Sequence, residues 1–186
     1  MAAWPFLATL AFLSELYGQE ICCPARVRPN SAILRIRPRM LIRPAIARDI
    51  PTLEMLAKAL PTAAHWSSAQ YSDLFTGPAR CVLLLEEDGA IHGFIVASAT
   101  NPEWEIENIA IAKSHQRRGL ASQLVRALIS QAKESAAAAT VLEVRASNES
   151  AKSFYEAHSF REVGRRRNYY SNPTEDAILY SLAIND

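Results

Sequence analysis

A short polar segment between an apolar stretch and a periodic helical stretch has the features of an anion-binding loop. The segment is "QRRGLA", Gln116 to Ala121, and it follows the strand-like "WEIENIAIAK". A strand that turns directly into a helix presents consecutive backbone N–H groups and the positive end of the helix dipole at one point. Gly119 can take a backbone conformation with positive φ and leaves room for a phosphate group. The spacing excludes the nucleotide loops GxxxxGK[ST] and GxGxxG, and on these residues alone a helix start with two solvated arginines is an equally good interpretation.

Side chains on both sides of this loop could exchange protons with a substrate. Glu143 lies in the strand-like "VLEVRA", in which Leu142 and Val144 face one side and Glu143 faces the other. Tyr155 lies in the helix-like "NESAKSFYEAH", and its phenol can donate a proton. Taken alone, a solvated strand carboxylate and a core aromatic residue explain these two positions as well.

The elements that must position these residues follow the order βααβββαβαββ. "MLIRPAI" predicts the first strand, and "DIPTLEMLAKAL" and "HWSSAQYSDLF" predict two helices, the second with Ser67 or Ser68 as its N-cap. Two apolar runs around Asp88-Gly89 predict a hairpin with a tight turn. A helix begins at about Gly119, and Asn148 can cap the next one. "FREVGRRRNYY" and "DAILYSLAI" predict a terminal strand pair joined by the polar loop "SNPTE".

Three blocks of the sequence carry a resemblance to one superfamily. "IENIAIAKSHQRRGLASQLVRALI" resembles the central motif of the GCN5-related N-acetyltransferase (GNAT) superfamily: Gln or Arg, two residues, Gly, one residue, then Gly or Ala. "LEVRASNESAKSFYEAHSF" and "RRRNYYSNPTEDAILYSL" resemble its RimI branch, the ribosomal-protein alanine N-acetyltransferases. The likeness spans residues 41 to 183. It implies the GNAT fold, of the α/β (α+β) class, in which helices flank a mixed, mostly antiparallel central sheet.

The resemblance also implies how the co-substrate acetyl-CoA is bound and used. The loop amides would hold its pyrophosphate, and the preceding strand, splayed from its neighbour, would hydrogen-bond the pantetheine arm. Glu143 is then the expected base for the amine and Tyr155 the expected proton donor to the leaving thiolate, with direct transfer in a ternary complex. Glu105 and Glu107, on the strand before the loop, are the runner-up bases, because other branches of the superfamily use a carboxylate there. The implied acetyl-CoA contacts are Ile109, Ala110, Ile111, Gln116, Arg117, Arg118, Gly119, Leu120, Ala121, Ser122 and Asn148.

The implied acceptor is a protein N-terminal α-amine, that of the N-terminal alanine of a small-subunit ribosomal protein. Adjacent Tyr169 and Tyr170 should point to opposite faces of a strand, so that one of them lines a peptide groove. Asp176 could anchor an ammonium group or a basic side chain, and Trp66 and Tyr71 could form the other wall of the groove. Other protein N-termini, lysines and small amines are alternative acceptors. A ribosome- or RNA-binding module using arginines such as Arg165 to Arg167 is the alternative from another functional class.

The composition limits the partners. There are 20 Lys and Arg residues against 19 Asp and Glu residues, so no net field attracts nucleic acid or an anionic membrane, and we expect direct contact with neither. Cys22, Cys23 and Cys81 have no metal-ligand spacing, so we expect no metal and a reducing, cytoplasmic location.

Two features depart from the family pattern. Ser159 stands where the family usually has glycine, which costs some stability at a left-handed helix end. Residues 1–39 precede the predicted domain of residues 40–186, and their apolar run "AAWPFLATLAFLSEL" resembles an export signal only in part. We expect a poorly ordered extension rather than export; a translation start placed too early, with Met40 as the true start, is the third interpretation.

Overall fold

The chain folds around a central sheet flanked by helices. The computed structural model describes residues 40–60, 64, 66–76, 80–100 and 102–184, so the predictions for residues 1–39 lie outside the described residues. The strands are β1 Met40–Pro44, β2 Arg80–Glu87, β3 Ala90–Ala99, β4 Glu103–Ile111, β5 Ala139–Arg145, β6 Arg161–Ser171 and β7 Thr174–Ala183. The helices are α1 Ile50–Lys58, α2 Ser68–Asp73, α3 Leu120–Glu134 and α4 Glu149–Glu156, with 3₁₀ helices at Ala47–Asp49 and Lys113–His115.

The seven strands form one mixed sheet in the order β1-β2-β3-β4-β5-β7-β6. All neighbouring strands are antiparallel except β4 and β5, which are parallel. A parallel pair needs a crossover connection, and α3 provides it. The predicted element order and the predicted mixed, mostly antiparallel sheet are both confirmed.

Apolar cores cover both faces of the sheet. Alternate residues of β2 divide between them: Leu83 and Leu85 pack in the core with Leu124 of α3, while Leu84 packs in the other core with Leu53 of α1. Because β2 is buried on both faces, its sequence is a continuous apolar run rather than an alternating one. Each fully buried leucine stabilises the fold by about 1.5–3 kcal/mol.

Local signals set the element ends as expected. Asp88 and Gly89 have φ of 52° and 81°, the left-handed pair that a tight hairpin turn requires. Ser67 caps α2, and its side chain accepts a hydrogen bond from the backbone N–H of Gln70. Asn148 caps α4 in the same way through Ala151. Within the described ranges, no helix is long and apolar enough to cross a membrane.

The terminal hairpin differs from the prediction in its connection. The expected polar loop "SNPTE" is wrong, because only Asn172 and Pro173 lie outside the strands. Glu175 belongs to β7, where its carboxylate binds the Arg145 guanidinium at 3.2 Å and accepts a hydrogen bond from the backbone of Ser147. These polar contacts explain why a segment of loop-like composition continues the strand.

The sheet opens between β4 and β5. The two strands pair only from Glu103–Ala139 to Ile106–Leu142, and both then continue without pairing to each other. On the other edge of β4, Val96 pairs with Asn108 and Ala97 with Ile106, so Glu107 is the extra residue of a β-bulge. Bulges bend a strand and increase its twist. The predicted splay of β4 from its neighbour is therefore present.

Candidate active site

The loop between β4 and α3 gathers backbone amides at the helix start. Gly119, the N-cap of α3, has φ 75°, and Arg117 has φ 60°. The hydrogen bonds within the described part of the chain include none donated by the backbone amides of residues 117 to 122. A Cβ atom at Gly119 would meet no atom within 4 Å, so the positive φ, rather than crowding, requires glycine there. With the helix dipole, these amides suit an anion such as a phosphate group.

Two of the three polar side chains of the loop, those of Gln116 and Arg118, are engaged elsewhere. The Gln116 side-chain amide donates to the carbonyl oxygen of Ile111 at 3.0 Å and fastens the loop to the end of β4. The Arg118 guanidinium binds the Glu87 carboxylate at 3.2 Å. Arg118 lowers the pKa of Glu87 mainly through this hydrogen bond. The loop therefore offers an anion its backbone more directly than its arginine side chains.

A cavity of about 410 Å³ lies where β4 and β5 separate. Ile106 is the last residue of β4 that pairs with β5. Glu107 of β4 and Glu143 of β5 are the first residues beyond that paired segment. The residues that line the cavity are Ala64, Trp66, Gln70, Asp73, Arg80, Glu105, Ile106, Glu107, Glu143, Tyr169 and Tyr170. Carboxylates thus meet aromatic rings at the open end of the sheet.

The carboxylates of the cavity differ in their partners. Glu107 pairs with Arg80 at 3.1 Å, and Glu143 pairs with Arg166 at 2.7 Å. Burial raises the pKa of Glu105, and the negative charges of Glu143 and Glu107 raise it further. Carboxylates attract an ammonium group and can take its proton, and the aromatic walls favour a cation by their π faces. The cavity is therefore suited to an amine.

A hydrogen bond with Glu143 raises the pKa of Tyr169, and burial adds to the effect. The Arg166 guanidinium also lies 5.5 Å from the centre of the Tyr169 ring. Glu143 is thus held between a cation and a phenol, both from β6, which orients its carboxylate within the cavity.

Comparison with known proteins agrees with this geometry. The profile of the acetyltransferase (GNAT) family matches residues 49–160, more than half of the chain. The chain belongs to the acetyltransferase (GNAT) family. It is accordingly an acetyl-CoA-dependent N-acetyltransferase, as the sequence motifs predict.

Similar proteins place it within the family. The [ribosomal protein bS18]-alanine N-acetyltransferase of Escherichia coli (strain K12) is 33% identical over 141 residues, which cover 73% of this chain and 92% of that protein. The crystal structure of the ribosomal-protein-S18-alanine N-acetyltransferase from Escherichia coli superposes with a TM-score of 0.71 at 30% identity, covering 79% of this chain and 95% of that one. Arabidopsis thaliana NAA60, solved in complex with acetyl-CoA, shares the fold with a TM-score of 0.70 at 19% identity, covering 79% and 99% of the two chains.

Tyr155 of the acetyltransferase is not among the residues that line the cavity. It is 5% exposed and packs edge-on against Phe154 and Phe160, whose ring centres lie 5.1 and 5.4 Å from its own. Burial raises the pKa of its hydroxyl, which keeps the phenol protonated, the form that a proton donor needs. The side-chain oxygen of Asn148 accepts a hydrogen bond from the amide of Ala151 at 3.1 Å, and a contact of Asn148 with the co-substrate stays a prediction.

Of the residues predicted to contact the acceptor, three line the cavity, whereas Tyr71 is buried and does not line it. Trp66, Tyr169 and Tyr170 line the cavity of the acetyltransferase. The prediction that the two tyrosines face opposite sides is wrong: Asn168 has φ 51° and the register of β6 shifts between Arg166 and Tyr170, which ends the alternation. Asp176 does not line the cavity.

Asp176 instead supports the bulge that precedes the tyrosines. Its carboxylate accepts a hydrogen bond from the backbone N–H of Asn168 at 2.9 Å and lies 3.5 Å from the Arg165 guanidinium. This contact helps to hold Asn168 in the left-handed region. A direct contact between Asp176 and an acceptor stays a prediction.

The sequence interpretation missed Arg80, which lines the cavity, and also Arg166 and Asn108, which bind residues of its wall. Arg80 and Arg166 neutralise two of its carboxylates, yet neither lies near its partner in sequence. Asn108 is 5% exposed, and its side-chain amide exchanges two hydrogen bonds with the backbone of Ala64, a wall residue. In the sequence Asn108 continues the alternation of Trp104 and Ile106, and the bulge at Glu107 then turns it toward Ala64 on the other face of the sheet. The alternation was an available signal, because a buried amide needs partners.

Proposed function

We propose that this enzyme transfers the acetyl group of acetyl-CoA to the α-amine of a protein N-terminus, the N-terminal alanine of a small-subunit ribosomal protein such as bS18. The main support is the cavity at the opening of the sheet, where Glu143 and its neighbouring carboxylates face Trp66, Tyr169 and Tyr170. The similar bacterial enzyme is named for that acceptor, and the likeness covers most of both chains.

Acetyl-CoA would bind along the opening between β4 and β5. The amides of residues 117 to 122 would hold its pyrophosphate, because no other hydrogen bond within the described residues uses them. The backbone of Ile109, Ala110 and Ile111, beyond the last pair of β4 with β5, would bind the pantetheine arm. This arrangement leads the thioester toward the point where the strands separate.

Glu143 would act as the base. A protein α-amine has a pKa of about 8, so a carboxylate can remove its proton at modest cost, directly or through water. The amine nitrogen then attacks the thioester carbonyl carbon, and the bond from that carbon to sulfur breaks. Tyr155 would give its proton to the departing thiolate. No covalent enzyme intermediate is needed, and the transfer would occur in a ternary complex.

Glu105 and Glu107 remain alternative bases. Glu107 is paired with Arg80, whereas the raised pKa of Glu105 gives it the proton affinity of a better base. Replacing Glu105, Glu107 and Glu143 in turn by glutamine distinguishes the three candidates. Only the loss of the true base should lower kcat without raising the KM for the acceptor.

A peptide panel tests the proposal. Purified full-length protein would be incubated with acetyl-CoA and an Ala-initiated bS18 peptide, and thiol release would be followed. The control peptides would carry other first residues, and one would have a blocked N-terminus and an internal lysine. We expect turnover with the Ala-initiated peptide and none with the blocked one.

Other outcomes of this experiment would point to a different acceptor or to a different function. Turnover of the blocked peptide would indicate a lysine acceptor, and turnover of small amines alone would indicate a different enzyme class within the family. Salt-sensitive RNA binding without any turnover would support the non-enzymatic alternative. A bS18 acceptor would also require the enzyme to work in the cytoplasm, which is part of the proposal.

A further inference from the structure

Three side chains that are remote from the acceptor cavity meet beside the anion loop. They are Glu87 at the end of β2, His92 in β3 and His115 at the end of the 3₁₀ helix Lys113–His115. One possible ligand atom from each lies within 4.8 Å of those of the other two. None of the three lines the acceptor cavity, and the proposed function uses none of them.

The backbone brings these residues together. Leu85 pairs with Gly93 and Glu86 with Ile91, so His92 is the extra residue of a β-bulge, a feature that redirects a side chain. The carbonyl oxygen of His92 accepts a hydrogen bond from the amide of Ala112 at 2.7 Å, which ties β3 to the segment carrying His115. The cluster therefore rests on regular hydrogen-bonded structure.

The contacts of His115 suit a metal ligand. Its Nε2 atom lies 3.7 Å from an oxygen of Glu87, too far for a hydrogen bond. Two ligands on one tetrahedral Zn²⁺ ion lie roughly 3.4 Å apart, given bonds of about 2.0–2.1 Å. The other ring nitrogen, Nδ1, lies 2.8 Å from the Ser114 hydroxyl. Metal-bound histidines usually make such a hydrogen bond with the nitrogen that does not bind the ion.

His92 completes the set after a small movement. Its ring stacks on that of His115 with centres 3.7 Å apart and an angle of 15° between the planes. Nearly parallel rings direct their lone pairs side by side, so an ion bound by both requires the His92 ring to turn about its Cβ–Cγ bond. The hydrogen bonds given for the described residues include none to this ring, whereas its stacking on His115 is observed.

We propose that Glu87, His92 and His115 form a binding site for one divalent transition-metal ion of the Zn²⁺ class. Two imidazoles and a carboxylate are donors that such ions prefer, and three protein ligands leave a position for water. The ion would join the β2–β3 hairpin to the segment that enters the anion loop. Glu87 also pairs with Arg118 of the anion loop, so the ion would be connected to the loop through this carboxylate. Its role would be to support the loop rather than to act on the acetyl group. This departs from the sequence-based expectation of no metal.

Titration with Zn²⁺ tests the site. The full chain would carry Cys22→Ser and Cys23→Ser, because adjacent thiols bind the same ion. We expect calorimetry to show one Zn²⁺ per chain. His92→Ala, His115→Ala and Glu87→Gln should each weaken binding by roughly a hundredfold, and Ser114→Ala by roughly tenfold, as outer partners of metal ligands do. His158→Ala, which removes a histidine outside the cluster, should leave the affinity unchanged.

The melting temperature of each variant without Zn²⁺ would show whether the fold is intact. Glu87→Gln keeps the shape of its side chain and can stand in for a histidine variant that does not fold. The proposal is overturned if the chain without Cys22 and Cys23 binds no Zn²⁺. It is also overturned if binding survives in folded Glu87→Gln and His92→Ala variants.

Discussion

Gly119→Val, compared with the double change Arg117→Ala and Arg118→Ala, tests whether the anion loop binds through its backbone. Gly119 has φ 75°, a conformation that costs an L-residue about 1–2 kcal/mol, and a β-branched residue stands at the upper end of that range. A Cβ atom there would meet no protein atom within 4 Å, so the conformational cost is not increased by a clash of that atom with the protein. A cost of about 2 kcal/mol corresponds to roughly a thirtyfold loss in affinity.

The cost can appear in two places, so both must be measured. If the introduced valine keeps the left-handed conformation before binding, the free energy of unfolding falls; if the loop relaxes, the affinity for CoA falls instead. The two losses together should amount to about 2 kcal/mol. Urea denaturation gives the first and calorimetric titration with CoA gives the second. Gly119→Asn is the matched control, because asparagine tolerates positive φ, and it should lose less than half as much.

The arginine double variant keeps every amide of the loop. It loses the Arg118–Glu87 pair, in which the arginine is 38% exposed, and such exposed pairs contribute about 1 kcal/mol or less. We therefore expect CoA affinity to fall by less than roughly fivefold. A double variant that binds CoA more weakly than Gly119→Val would refute a backbone-dominated site.

Four further changes test the remaining assignments. Glu143→Gln should lower kcat by roughly 10²- to 10⁴-fold with CoA affinity nearly unchanged, because it removes a base and keeps the side-chain shape; full activity at saturating peptide would transfer the role to another carboxylate. Tyr155→Phe should lower kcat while the melting temperature stays close to that of the wild type, and an unchanged kcat would remove Tyr155 from the chemistry. Ser159→Gly should raise the free energy of unfolding by about 1 kcal/mol in urea denaturation, because Ser159 has φ 68°; no gain would mean that its neighbours offset the strain. Glu105→Gln should stabilise the protein more at about pH 7 than at about pH 4, since a carboxyl group with a raised folded-state pKa contributes stability at low pH and loses it as the pH rises through that pKa. Equal effects at the two pH values would contradict the raised pKa.

Local conformational chemistry explains why the elements were predictable. Asp88-Gly89 specifies a tight turn whatever surrounds it, and the apolar stripe of α3 must face a core. The anion loop belongs to the same class, because the positive φ of Gly119 depends on its immediate neighbours. Elements and loops of this kind follow from the sequence because their determinants lie within a few residues.

The contacts that the sequence interpretation missed depend on which strands are neighbours and on the register in which they pair. Arg80 reaches Glu107, and Arg166 reaches Glu143, only because particular strands are neighbours in the sheet. The faces of Tyr169 and Tyr170 were mispredicted because a bulge at Asn168 breaks a rule that holds for regular strands. Bulges and long-range pairings leave no local pattern in one sequence.

The narrow pairing between β4 and β5 has a consequence for the mechanics of the whole domain. Four residue pairs join the four strands on one side of the sheet to the three on the other. We expect local opening at this seam to need less free energy than opening within either half, because fewer backbone hydrogen bonds must break there. A molecule that lies in the gap between β4 and β5 and contacts both strands would hold the two halves of the sheet together. We therefore expect acetyl-CoA to slow hydrogen exchange in β4 and β5 and to make the two halves of the sheet unfold as one unit.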